Sequence, residues 1–109
     1  MTPGVTAGAK MASMHVAALR FELHVPESRS LKAKRAALRP IIDGLRHRFK
    51  VSVAEVDHQD TWQRAAIGVA LVSGASRQLE TVIAEIERFV ANAADVDVID
   101  VGCSYLEED

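Results

Sequence analysis

Two groups of residues in this chain have the types and spacing that chemistry requires. The first is the polar turn Asp57-His58-Gln59-Asp60, followed by the only tryptophan, Trp62, and by Arg64. Two carboxylates around a histidine are the materials of a metal site or an acid–base pair. Contiguous loop residues seldom converge on one ion, and a catalytic zinc draws its three protein ligands from rigid elements. The turn therefore reads as architecture, with Asp57 and Asp60 capping backbone amides and Trp62 packed over its base. The second group is Lys32, Arg35, Arg39 and Arg46. Placed at helical steps, these four fall in one narrow stripe beside an apolar arc. Basic side chains in line on a helix can follow a phosphate backbone and supply affinity without reading sequence.

Other reactive residues lack partners. His15, His24 and His47 are scattered, and Cys103 has no neighbouring base in sequence to make it a nucleophile. Ser28 and Ser30 do not fall in register with Lys32 and Lys34 for a serine–lysine pair. Neither common Gly-rich phosphate loop occurs. No catalytic residue, metal or cofactor is expected.

The elements that must position the two groups follow from the hydrophobic pattern. Residues 16–25 alternate, with Ala17, Leu19, Phe21, Leu23 and Val25 on one face of a strand that Pro26 ends. Ser30 caps a helix over 31–49 whose stripe is Leu31, Leu38, Ile41, Ile42, Leu45 and Phe49. Pro40 inside it predicts a bend near Ala36 to Pro40. Val51 to Val56 and Ala65 to Val72 are β-branched runs joined by the polar turn, which makes a hairpin. Val51 and Val53 favour one facing of its first strand, Ala54 and Val56 the other, and a bulge between them reconciles the two. Ser76 is the expected cap of a second helix, carrying Leu79, Val82, Ile83, Ile86, Phe89 and Val90 on one arc. Asp95 to Val101 alternates acid and apolar as an edge strand. The order β-α-β-β-α-β is the α+β, ferredoxin-like arrangement, a four-stranded antiparallel sheet with both helices on one face.

Composition agrees with one domain of 109 residues, 49% apolar and 26% charged. Residues 1–13 read as a disordered leader, 14–103 as the domain and 104–109 as an acidic tail. Met1, Met11 and Met14 are each a candidate start. No stretch reaches the roughly 20 apolar residues of a membrane span, and a single cysteine suits a reduced, cytoplasmic setting. The net charge of −2 conceals a division along the chain. Arg29 to Lys50 holds eight Lys/Arg against Asp43 alone, whereas Glu55 to Asp109 holds twelve acids against Arg64, Arg77 and Arg88.

From Met14 to about Val101 the chain resembles the bacterial YlxP-like family, a domain of unknown function. The resemblance rests on Ser30-Leu31-Lys32-Ala33-Lys34-Arg35, on Arg46-x-Arg48-Phe49-Lys50-Val51-Ser52-Val53-Ala54-Glu55-Val56-Asp57, and on His58-Gln59-Asp60-x-Trp62-Gln63-Arg64-Ala65. Pro40 and residues 102–109 look particular to this sequence. The resemblance implies a ferredoxin-like fold. Genes of the family often neighbour translation initiation and ribosome-binding factors, which implies a role in maturation of the small ribosomal subunit. No catalytic residue is established for it.

The leading expectation is an accessory protein, not an enzyme, that binds structured ribosomal RNA or the small ribosomal subunit. Lys32, Arg35, Arg39 and Arg46 would contact phosphates, with His58 and Arg64 adding contacts from the hairpin. The open sheet face, Ala18, Arg20, Glu22, Ala66, Gly68 and Ala70, lacks the aromatics on which RNA-recognition motifs stack bases. Backbone and shape contact is the mode that remains. The alternative is a homodimer or larger homo-oligomer, a ligand-binding or regulatory module using that small-residue face. An enzyme centred on Asp57, His58 and Asp60 comes third and requires those side chains to converge.

Overall fold

A computed structural model describes residues 13–106, so the expected leader lies outside the described residues except for Ser13, as do Glu107 to Asp109 of the tail. The elements are β1 (His15–His24), α1 (Leu31–Phe49), β2 (Ser52–Asp57), β3 (Arg64–Ser73), α2 (Ser76–Ala91) and β4 (Asp97–Tyr105). All neighbouring strands are antiparallel, in the order β2-β3-β1-β4. This is the expected ferredoxin-like sheet. β1 and β3 fill the middle, and β2 and β4 are the edges.

The alternation of β1 sets the layer. Ala17, Leu19, Phe21, Leu23 and Val25 are at most 2% exposed and meet Leu38, Ile41 and Leu45 of α1 and Leu79, Ile83, Ile86 and Val90 of α2. Each fully buried Leu, Ile or Phe contributes about 1.5–3 kcal/mol. The other face of β1 carries Ala18, Arg20 and Glu22, opposite Ala70, Gly68 and Ala66 of β3. The helices leave this second face open.

The hairpin bulges, but not where the apolar pattern suggests. Val53 and Glu55 face the helices, opposite Val69 and Ile67, and the register shifts only between Glu55 and Asp57. Val51 is half-buried, while Ala54 and Val56 are exposed. One facing thus holds through Glu55.

Ser30 caps α1 as expected, its hydroxyl accepting from the Ala33 N–H at 3.0 Å. The helix continues unbroken through Pro40. Pro40 is exposed on the side away from the sheet, where water can satisfy the Ala36 carbonyl that lacks a helical donor. Lys50 closes α1 in the left-handed region at φ 55°, donating its N–H to Arg46 O at 3.1 Å. α2 starts one residue earlier than expected. Ala75 holds the cap position, and its N–H and carbonyl are bonded by the Ser73 hydroxyl, so Ser76 lies in the first turn.

β4 also differs from expectation. It begins at Asp97 instead of Asp95 and continues past the expected end at Val101 to Tyr105, because Cys103, Ser104 and Tyr105 pair with Leu19, Ala18 and Ala17. Among the described residues no helix is long and apolar enough to cross a membrane.

Candidate functional site

The basic stripe exists as a surface. Lys32, Arg35, Arg39 and Arg46 are exposed along one side of α1, and none of them forms an ion pair among the described residues. From Lys32 to Arg46 is roughly 21 Å along the axis at 1.5 Å per residue. Arg46 Nη2 donates to Val53 O of β2 at 3.0 Å, so the stripe borders the β2 edge of the sheet. That bond fixes Arg46, while the other three are free to extend.

The structure does not bring His58 and Arg64 to the stripe. Both are engaged on the open face by Glu22. Its Oε2 accepts from Arg64 Nη2 at 2.9 Å and lies 3.1 Å from His58 Nε2, while its Oε1 accepts from Arg20 Nη2 at 2.6 Å. Arg20 Nη2 also reaches Asp57 Oδ2 at 3.4 Å. The Arg64 guanidinium, with Arg20 and His58 assisting, holds the Glu22 carboxyl below its ordinary range against the opposing effect of burial. The His58 backbone N–H, donating to Asp57 Oδ1 at 2.7 Å, and the charges of His58 and Arg20 do the same for Asp57. This is a closed charge network.

The polar turn follows from those bonds. His58 has φ 62°, a left-handed conformation uncommon for a side-chain-bearing residue, and its carbonyl accepts from the Thr61 N–H. Trp62 is 53% exposed instead of packed over the turn. The base is filled by a residue from α1. Asp57, His58 and Asp60 do not converge: the first faces Arg20, the second Glu22, and Asp60 is exposed. No group of three potential metal ligands occurs among the described residues.

The residue that fills the base is Lys34, only 1% exposed. Its Nζ donates to His58 O at 2.7 Å, Arg64 O at 3.3 Å and Gln59 O at 3.4 Å. Glu55 Oε2 lies 2.9 Å away and completes an ion pair. A buried ammonium is tolerated only when paired and bonded in this way. Sequence reasoning overlooked Lys34, although a signal was present. Residues 34, 38, 41 and 45 are spaced i, i+4, i+7 and i+11, which centres this lysine in the apolar arc.

Also unforeseen is an open groove of about 590 Å³ between the helices, walled by Pro40 and Phe89. Arg48 lies over the Phe89 ring, 5.2 Å from its centroid, and Arg88 shares the wall with Glu85 and Asp95. Its mixed charges select no ligand sign.

A family described as "Protein of unknown function (DUF503)" matches residues 16–103, nearly the whole folded unit. The chain belongs to the DUF503 family. A relative is the uncharacterised protein YlxP of Bacillus subtilis (strain 168), 34% identical over 76 residues that cover 70% of this chain and 83% of the relative. Among solved structures, the domain is similar to Bacillus subtilis YXEP, described as a dinuclear metal-binding peptidase of the M20 family. The TM-score is 0.52 at 12% identity, over 87% of this chain but only 26% of that protein. The DUF503 domain thus spans about a quarter of that enzyme, and the likeness is one of fold. A dimeric protein of unknown function with a ferredoxin-like fold, from Bacteroides fragilis NCTC 9343, matches at TM-score 0.48 and 9% identity, over 87% and 96% of the two chains.

Proposed function

We propose that this DUF503 domain is a cytoplasmic accessory protein that docks on structured RNA, foremost that of the small ribosomal subunit, through the outer side of α1. The observation that carries the reading is the exposure of Lys32, Arg35 and Arg39 in line, with no carboxylate paired to them among the described residues. A helix whose charges served solubility alone would gain from mixing signs at i,i+4. Arg46, anchored to Val53 O, extends the line to the end of β2. His58 and Arg64 are left out of this surface, because Glu22 holds them on the opposite side of the sheet.

Binding through such a line follows the counterion rule. Affinity falls steeply with salt, and removing one phosphate-contacting residue, as in Arg35→Gln, lowers the slope by about one. Co-sedimentation with small subunits across a salt series tests this. A variant with Lys32, Arg35, Arg39 and Arg46 all changed to Glu that still co-sediments normally defeats the proposal.

A second reading has one observation in its favour. A shallow apolar depression of about 300 Å³ runs over Ala18, Ala54, Gly68 and Ala70 on the open face, with Val56 and Val72 exposed nearby. It suits a second copy packed sheet to sheet. A stable dimer in light scattering, indifferent to RNA and to salt, selects this reading over the first.

A further inference from the structure

The two sheet edges are not equivalent. At β2, Arg46 donates across the edge to Val53 O. At β4, no side chain among the described residues bonds the outer backbone. The hydrogen-bonding phase of β4 can be read from its end. The Leu106 N–H donates to Val16 O at 3.0 Å. Antiparallel pairs alternate between bonded and unbonded, so Ser104, Gly102 and Asp100 bond to Ala18, Arg20 and Glu22. The N–H and carbonyl groups of Val101, Cys103 and Tyr105 therefore point away from the sheet, into solvent.

These three residues pair with Phe21, Leu19 and Ala17, so their side chains face the helical layer. α2 does not reach far enough to cover them. Val101 is 37% exposed and Tyr105 47%, and Ile99 and Leu106 on the same edge are more than half exposed. The neighbouring flank of α2 carries Glu80, Ala84 and Glu87, at spacings i, i+4 and i+7. Cys103 beside it, and then the charges of Glu80 and Glu87, hold the Tyr105 hydroxyl above its ordinary range. Asp97 and Asp100 are the charges of β4 itself, and no Lys or Arg lies on the strand. The edge is thus a strand template with an apolar floor and an acidic wall.

We propose that the β4 edge is a docking surface for an extended, basic segment of a partner protein, which adds as a fifth strand. Backbone pairing to Val101, Cys103 and Tyr105 supplies affinity. Alternate Lys or Arg side chains on the helical side meet Glu80 and Glu87, giving selectivity for a basic strand. A second copy is the poorer occupant. Two-fold pairing of β4 with itself would set the acidic walls of both protomers against a common gap.

The test uses the whole chain and a synthetic peptide of alternating lysine and valine, as long as β4. Two controls accompany it: the alternating glutamate–valine peptide, and the lysine peptide with alternate backbone nitrogens methylated so that it cannot pair. The expected result is binding of the unmethylated lysine peptide alone. Amide shifts and slowed hydrogen exchange should centre on Val101, Cys103 and Tyr105. Glu80→Lys with Glu87→Lys should weaken that peptide at least tenfold and admit the glutamate peptide. Absence of binding overturns the proposal, as do equal binding of the methylated peptide and shifts confined to the sheet face. Protection of the same three amides in the free protein, rising with its concentration, gives the edge to a second copy and overturns the proposed occupant.

Discussion

Lys34→Met tests whether the turn is held from α1. The substitution keeps the length and the apolar stem of the side chain, and removes the charge and its three donors. Deleting one member of a buried ion pair costs about 3–5 kcal/mol. Glu55, 20% exposed, can take up water, which draws the cost toward the lower end. The bond to His58 O at 2.7 Å is charge-assisted and contributes about 1.5–3 kcal/mol. His58 O keeps the Thr61 N–H as a donor, so it is not orphaned, and methionine fills the slot well. The loss should be about 3 kcal/mol, a large part of the stability of a domain this size. Urea unfolding followed by far-ultraviolet dichroism measures it as a lower midpoint at constant slope. Adding Glu55→Gln should restore about 1 kcal/mol, since it removes the carboxylate left without a counter-charge. Exchange of the Thr61 amide should quicken, whereas the salt slope of RNA binding should not change, because Lys34 is not on the surface. A loss below about 1 kcal/mol, the value of a solvated pair, would refute the clamp.

Two further outcomes follow from the packing and the charge network. A methyl added at Gly44 would overlap the Phe89 ring. Gly44→Ala should therefore destabilise by about 1–2 kcal/mol despite the helix preference of alanine. Adding Phe89→Leu should recover part of that loss, and thermal unfolding of the two variants decides it. Glu22 titrates below its unfolded value. Its contribution is full above the ordinary glutamate range, about pH 4.3, and is lost as pH falls through the lowered folded value. Glu22→Gln should differ most from the parent at neutral pH, with the gap in urea midpoint closing on acidification. A gap constant from pH 3 to pH 7 would place the effect in packing instead.

The fold was readable because period-two and period-3.6 apolar patterns are dictated by the core. β1 alternates cleanly, both helices carry an apolar arc at helical spacing, and the element order admits few topologies. What escaped the reading is long-range. Lys34 meets Glu55 and the carbonyls of His58 and Arg64 across 21 to 30 residues, and local propensity carries no trace of that contact. Its position within the apolar arc was visible, but lysine is so seldom fully buried that it passes for a surface residue. Glu22 likewise alternates as an outward polar residue. Only the pairing of β1 with β3 and the left-handed turn at His58 convert it into the centre of a network. The full extent of β4 was hidden because Gly102, Cys103 and Ser104 are weak strand formers, and pairing with β1 overrides them.

The division of charge along the chain acquires a meaning through topology. Residues 29–50, with eight of the thirteen Lys and Arg residues, make α1 and lead into β2. Most of the acidic charge after Glu55 falls in α2 and in and around β4. In a split β-α-β fold the first crossover ends at one edge of the sheet and the second at the other, so a separation in sequence becomes a separation in space. The order β2-β3-β1-β4 puts the two edges three strand spacings apart, roughly 14 Å. A field of that shape does more than a net charge of −2 suggests. If the proposed RNA docking holds, such a field would turn the stripe toward the phosphate backbone and the β4 edge away from it. The proposed RNA surface and the proposed strand-docking edge can then be occupied together, since neither competes for the other's face. A charge pattern that concentrates basic residues on the stripe leaves the far edge suited to the basic segment proposed for it.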